Sequence, residues 1–284
     1  MTLRTILFSL FKKSLYVFLS LGGKENKYLA LSRLAEEIPP IYIQDTPIGN
    51  VLFYCNGELS LWRAKTLLTK EPETIEWIES FKENETLFDI GANIGCYSLY
   101  AAKRNIIVVA FEPSAANYFM LQKNIEINKM DEKIQAFCIA FNEKSQAGFL
   151  FMPSTQIGGA INNFGNSSEN LDFMGENFKV KFKQGMISFS LDDFIKFYGL
   201  NPPSHIKIDV DGIEDKIIRG AKNTLSDRKV KSLLVELDTS QPQYDEIVTG
   251  ITNSGFRLHA KKHAEIFDSG MYKSVYNHIF VRNP

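Results

Sequence analysis

Three acidic strand ends and one glycine turn carry the chemistry this chain can do. Leu87-Phe88-Asp89-Ile90 is a short apolar run ending beside an acid, and it breaks into Gly91-Ala92-Asn93-Ile94-Gly95 before a helical stretch from Cys96. Two glycines four apart let the backbone pass close to a ligand, and the helix behind them presents free N–H groups. A second apolar run, Ile106 to Phe111, ends at Glu112, 23 residues after Asp89. An acid at the tip of the second strand of a βαβ unit is placed to accept hydrogen bonds from ribose hydroxyls, so the expected ligand is a nucleoside. The turn reads D-x-G-x-N-x-G, with Asn93 where a dinucleotide fingerprint has its second glycine. Such a loop suits an amino-acid tail better than a pyrophosphate. A third acidic tip follows in His205-Ile206-Lys207-Ile208-Asp209-Val210-Asp211-Gly212. Ligands of open α/β sheets bind beyond the carboxyl ends of strands, which brings Asp209 and Asp211 to the reactive end of that nucleoside. Lys207 is the expected partner for one of them, because an unpaired buried carboxylate is costly.

The elements that must position these residues alternate strand and helix. Apolar runs recur at 87–90, 106–111, 134–141, 206–210 and 230–237, with a helix after each except 134–141. Phe256–Ala260 and His278–Val281 are expected to close the sheet as an antiparallel pair. The predicted fold class is α/β: a mostly parallel doubly wound sheet with an antiparallel C-terminal strand. Ile134 to Phe141 reads as the third strand. Its tip, Cys138 to Ala140, would meet an adenine by backbone and van der Waals contacts. Residues 145–190 interrupt the alternation. Strands are expected at 149–152 and 178–182, with a Gly/Asn loop from Gln156 to Asn163 and a polar stretch to Asn170 that read as a substrate-side flap. Ser190 is an expected N-cap, which makes Asp192 and Asp193 helix chemistry rather than a metal site.

The N-terminal 80 residues read as an addition to a domain spanning 81–284, which carries an insertion at about 145–190. Ile41–Ile43 and Val51–Tyr54 are a small β-addition. Trp62 to Phe81 is helical and restarts at Pro72. Trp62, Arg63 and the Lys70-Glu71-Pro72 corner either cover the nucleotide pocket or form a solvated cap. On residues 2–21, Leu3, Ile6, Leu7, Leu10, Phe11, Phe18 and Leu21 gather on one side of a helix, opposite Thr5, Ser9, Lys12, Lys13 and Ser20. Lys12 and Lys13 make the run too short to span a bilayer. Two readings stay open: a helix packed on the main domain, or an interfacial helix making peripheral contact with the inner membrane face.

Composition excludes several classes. A formal net charge of −1 gives no support for nucleic acid as a partner. Hydrophobic content of 44% and charged content of 23% are those of a globular chain. Cys55, Cys96 and Cys138 form neither a disulfide framework nor a metal spacing, which favours a reducing, cytoplasmic compartment. His205, His259, His263 and His278 make no convincing metal pair.

Four stretches together resemble the FkbM family of S-adenosylmethionine-dependent methyltransferases. They are Phe88–Gly95 with Ser98-Leu99; Ala110–Ser114 with Leu121 and Asn124; Ser190–Phe194; and Ile206–Gly212 with Arg219-Gly220-Ala221. Gly255-Phe256 and Asn277–Phe280 are also similar. Asp211 departs from the glutamate common there, keeping the charge and shortening the reach. The resemblance implies a Rossmann-like class I methyltransferase fold, S-adenosyl-L-methionine as cofactor, and methylation of a hydroxyl on a sugar, glycan or related small molecule. The expected cofactor-binding set is Asp89, Gly91, Ala92, Asn93, Gly95, Ser98, Glu112, Pro113 and Ala140. The expected catalytic residues are Asp209 as base and Asp211 second. A divalent ion at the two aspartates is the less favoured alternative, and no metal is expected. Nitrogen or carbon methylation, and a non-catalytic nucleoside-binding module, are the alternative functions.

Overall fold

A computed structural model describes residues 3–165, 179–270 and 272–283. The chain divides into two compact units, residues 1–41 and 42–284. In the first, α1 (Leu3–Ser20) turns at 21–23 into α2 (Lys24–Glu37).

The second unit takes in the β-addition. Strand β1 (Ile41–Gln44) pairs with β2 (Val51–Tyr54), followed by α3 (Glu58–Lys65) and α4 (Pro72–Glu79), which starts on its proline. Then come β3 (Thr86–Ile90), α5 (Cys96–Lys103), β4 (Ile107–Phe111), α6 (Ala115–Asn128) and β5 (Ile134–Phe137). The Leu52 and Tyr54 N–H groups donate to Asn128 and Asn124 of α6 at 3.0 and 2.7 Å, so the β-addition is part of this unit and the division falls at 41.

Beyond β5 the chain leaves the sheet. The expected strand 134–141 is two: β5, and β6 (Ala140–Phe141), which joins a second sheet with β7 (Gln146–Met152), β8 (Asn163–Gly165) and β9 (Phe182–Phe189). Ala140 and Phe141 register with Ser188 and Phe189 of β9, and that pairing pulls the chain out of line after Phe137. The strand expected at 178–182 starts at Phe182; residue 178, and the polar stretch 166–170, lie outside the described residues. Helix α7 (Leu191–Tyr198) is capped as expected, with the Ser190 hydroxyl accepting from the Asp193 N–H. Asp192 Oδ1 accepts from the Thr224 N–H and hydroxyl at 2.8 and 2.6 Å, a structural use.

The main sheet resumes with β10 (His205–Ile208), α8 (Glu214–Arg219), α9 (Lys222–Ser226), β11 (Ser232–Asp238), α10 (Tyr244–Asn253), β12 (Phe256–Lys262) and β13 (Val275–Arg282). Its seven strands run in the order β12-β13-β11-β10-β3-β4-β5. The five from β11 to β5 are parallel, and β13 is antiparallel to both neighbours. This is the doubly wound sheet with a reversed last strand that the sequence predicts. Strand order turns around between β3 and β10, which opens a crevice at their carboxyl ends.

Alternation sends side chains to both faces. Phe88, Ile90, Val109, Phe111, Ile206 and Ile208 lie in one apolar cluster; Leu87, Val108, Ala110 and Leu234 lie in the other. Both faces are covered, as parallel strands require. Lys207, registered with Asp89, is the exception in this core: a cation fully inside.

Candidate functional site

The crevice holds a cavity of about 380 Å³, within the range of a small-molecule site. Its first wall is the turn after β3. Gly91 has φ 88°, and a Cβ there would stand 1.8 Å from the Asp209 carbonyl oxygen, so only glycine lets the exits of β3 and β10 come together. The Gly91 and Ala92 N–H groups donate to the Phe111 carbonyl. Gly95 serves differently: its φ of 89° starts α5, and a Cβ would press on Leu121. It does not line the cavity. Asp89 and Ser98 lie beneath the turn, the Ser98 hydroxyl donating to Asp89 Oδ2 at 2.5 Å, while Asp89 Oδ1 is buried with no hydrogen-bond partner among the described residues. Ala140 is packed in the apolar cluster around Phe111, away from the cavity.

Glu112 and Pro113 line the second wall. The Glu112 carboxyl accepts from the Asn93 N–H at 2.8 Å, the Ser114 N–H at 2.9 Å and the Asn117 amide at 3.3 Å. Burial outweighs these bonds and pushes it up to about 7. The turn and the second-strand tip expected from sequence are thus one connected structure.

The third wall is the loop after β10. Asp209 and Asp211 both reach the cavity, past the end of the strand. Lys207 Nζ lies 2.5 Å from Asp209 Oδ2; the lysine is buried and the Asp209 side chain is 25% exposed. The expected partnership is present, and it leaves a carboxylate at the cavity with its charge held by a cation behind it. Asp211 is engaged from the other side. Its Oδ2 accepts from the Ile161 and Asn162 N–H groups at 2.5 and 3.0 Å, and burial raises its carboxyl to about 6.

Those two amides belong to the expected flap, which closes the fourth wall. Asn117 accepts from the Gly158 N–H at 2.8 Å and donates to the Gly159 carbonyl at 3.0 Å. Asn93 donates to the same carbonyl at 2.9 Å, and Arg63 Nε to the Gly158 carbonyl at 2.6 Å. Asp211→Ala should therefore leave two flap amides without an acceptor. Amide hydrogen exchange at Ile161 and Asn162 is expected to speed by about tenfold or more, from a loss of about 1–3 kcal/mol. Unchanged exchange would mean that Asn93, Asn117 and Arg63 hold the flap alone.

A cluster of charges completes the cavity floor. Lys70 pairs with Glu71, whose carboxyl also accepts from the Thr74 hydroxyl at 3.2 Å. The Lys70 and Lys207 cations hold Glu71 down at about 2 despite its burial. Glu236, at the end of β11, is pushed well above the carboxylate range by burial and by Asp209. Lys207 Nζ stands 5.1 Å from the Tyr97 ring centroid. Of the two readings of Trp62, Arg63 and the Lys70–Glu71 corner, the structure gives the one in which they line the pocket. Asn117 and Tyr97 were not singled out from sequence. Asn117 carried a readable signal, a buried-type amide in the first turn of a helix that follows an acid-proline tip; Tyr97 carried none. His205 lies between Ser232 and Glu85, stacked on Phe81, and His278 contacts Tyr244, both structural uses, while His263 lines the cavity with its ring hydrogen-bonded to the Val275 carbonyl and Asp268.

A second hollow of about 230 Å³ shares Val210, Asp211, Glu236, Tyr272 and Val275 with the first. It adds Glu214, Asp238, Gln241 and Tyr244, and no Lys or Arg lines it among the described residues. Burial raises Glu214 to about 8.

The family described as "Methyltransferase FkbM domain" matches residues 89–258. "Methyltransferase 1" of Beauveria bassiana is 24% identical over 191 residues, 64% of this chain and 76% of that protein. A tRNA (guanine(37)-N(1))-methyltransferase of Candida albicans is 31% identical over 114 residues, 39% of this chain and 24% of that protein. A crystal structure of a methyltransferase FkbM from Methylobacillus flagellatus KT aligns with a TM-score of 0.48 at 15% identity, covering 79% of this chain. The aligned part spans about half of that solved chain, 55%.

Proposed function

The chain belongs to the FkbM methyltransferase family, and on that premise we propose that it transfers a methyl group from S-adenosyl-L-methionine to a hydroxyl oxygen of a sugar-like acceptor. The observation that carries this reading is the continuity of the crevice. One cavity joins the Gly91–Asn93 turn and Glu112 to Asp209, and the second hollow opens from its far end.

The residues fit an adenosyl donor. Gly91, Ala92 and Asn93 give a backbone wall for its amino-acid part, and Glu112 gives a carboxyl at the cavity for ribose hydroxyls. Asp89, with its unpartnered buried oxygen, and Ser98 support the turn from beneath. When bound, the donor supplies an electrophilic methyl group; positioning and proton handling fall to the chain. Asp209 takes the hydroxyl proton, because it lines the cavity and its pairing with Lys207 fixes its carboxylate there. Lys70 is raised by Glu71 and neighbouring carboxylates, so it stays a cation and serves orientation rather than base chemistry. Asp211 acts through the flap, which excludes water from the crevice. The acceptor side supports a neutral polyhydroxylated molecule. Asp211 and Glu214, raised toward neutrality by burial, both donate and accept, and the second hollow with Asp211, Glu214, Glu236 and Asp238 has no Lys or Arg among its described lining residues. Three free cysteines support a cytoplasmic setting.

Calorimetric titration with S-adenosylmethionine, S-adenosylhomocysteine and NAD tests the donor. Both adenosyl compounds should bind in the micromolar range and NAD should not. The pH dependence identifies Glu112. Ribose hydroxyls donate to the charged carboxylate, so binding draws its pKa down from about 7 and releases a proton. Affinity should be level above pH 7 and weaken below it, by at most about tenfold per unit. Binding of NAD alone would overturn the donor. Binding indifferent to pH between about 5 and 8 would remove Glu112 from the ribose. Mass spectrometry and NMR of the methylated product then assign the atom.

A further inference from the structure

The N-terminal helix carries a surface the methyl-transfer site does not use. At 100° per residue, Leu7, Leu10, Phe11, Val17, Phe18 and Leu21 fall within about a third of the circumference of α1 and its first following residue. Each is 55–80% exposed. Ser9 and Ser20 lie opposite, with Lys12 and Lys13 at the two borders of that polar arc. The partner helix leaves the apolar arc open. Lys27 of α2 sits 3.4 Å from the ring centroid of Tyr16, which lies on the polar side. No residue of α2 is buried. Ser14 interrupts this arc and Phe8, 66% exposed, lies outside it; an exposed stripe of six large apolar side chains still marks an interaction surface.

Its charge says what covers it. Residues 1–30 hold five basic side chains, Arg4, Lys12, Lys13, Lys24 and Lys27, against one acid, Glu25, in a chain whose net charge is −1. No acid occurs within α1. Among the described residues no helix is long and apolar enough to cross a membrane. An apolar face backed by a lysine-bearing polar face, on a helix that cannot span, matches a bilayer interface with anionic headgroups: the apolar face enters the acyl boundary while the lysine stems reach to phosphate. We propose that α1 lies flat on a phospholipid surface carrying anionic headgroups. This is independent of the reaction the crevice performs.

The test is co-sedimentation of the full chain with phosphatidylcholine vesicles and with phosphatidylcholine/phosphatidylglycerol vesicles. Partition to the anionic vesicles should be at least about tenfold stronger and fall as salt is raised. Leu7→Glu/Phe11→Glu/Phe18→Glu should lose binding to both vesicles. Lys12→Glu/Lys13→Glu should lose the preference for anionic lipid by about tenfold or more while retaining residual apolar binding. S-adenosylmethionine calorimetry and the melting transition should be unchanged in both variants, which shows that the main unit is folded. Three results would each overturn the proposal. The triple variant could sediment like the native chain. The native chain could bind neither vesicle. Light scattering could show a dimer that the triple variant dissociates, with no vesicle binding, in which case a second copy covers the face.

Discussion

Asp209→Asn should bind S-adenosylmethionine as the native chain does and lose methyl transfer by about 10²–10⁴-fold. The substitution removes the proton acceptor and leaves the turn after β3, Glu112 and the flap in place. It also takes the counter-charge from Lys207, which is 1% exposed. Breaking a buried pair costs about 3–5 kcal/mol, and the low end applies because the Asp209 side chain is partly open to solvent. A loss of turnover alone would therefore not separate a base from a structural ion pair. The double variant Lys207→Met/Asp209→Asn separates them. Removing both charges should recover much of the melting temperature, since no cation is left buried and unpaired. If Asp209 is the base, the double variant folds, binds the donor and remains inactive. Turnover restored together with stability would reduce the pair to scaffolding and move the base elsewhere in the cavity, with Glu236 the next carboxyl to test.

Gly91→Val acts at the opposite end of the site and should have the largest effect on the fold. Its Cβ would meet the Asp209 carbonyl at 1.8 Å, a clash between two backbone segments that no side-chain rotation relieves. A β-branched residue at φ 88° adds strain of its own. Clash and strain together cost about 2–6 kcal/mol, which lowers the melting temperature by about 4–24 °C in a unit of this size. Donor binding should be lost as well, because the turn is the wall that faces the donor. Gly185→Ala is the control: its Cβ meets nothing within 4 Å, and the variant should melt with the native chain. A Gly91→Val protein that melts and binds normally would show that β3 and β10 do not converge as described.

Glu71 and Glu236 show how one cavity sorts identical side chains. Both carboxyls line the same floor. Glu71 touches Lys70 and is held down at about 2, whereas Glu236 is pushed up by burial and by Asp209, which outweigh the pull of Lys70 and Lys207. The floor therefore offers the acceptor a mixture of fixed charge and neutral hydrogen-bonding groups.

What was legible in the sequence was what local chemistry writes there. The Gly91–Gly95 turn, the acid at the tip of β4, the Ser190 cap, and the alternation placing Phe88 and Leu87 on opposite faces follow from φ preference, capping and a period of two. The Lys207–Asp209 pair was legible for the same reason, since the cost of a lone buried charge demands a partner nearby. Only the tertiary structure decided which distant segments meet. The bonds joining Asn93 to Gly159 and Asp211 to Ile161 span 66 and 50 residues, and such a contact leaves no periodic trace in either segment. The same holds for Ala140, taken from the nucleotide pocket by pairing with β9, and for Lys70 and Glu236, brought to one floor by the crossing of separate elements. Turn and strand propensities are properties of a few neighbouring residues. A closed cavity is a property of the whole sheet and of the insertion that folds back over it.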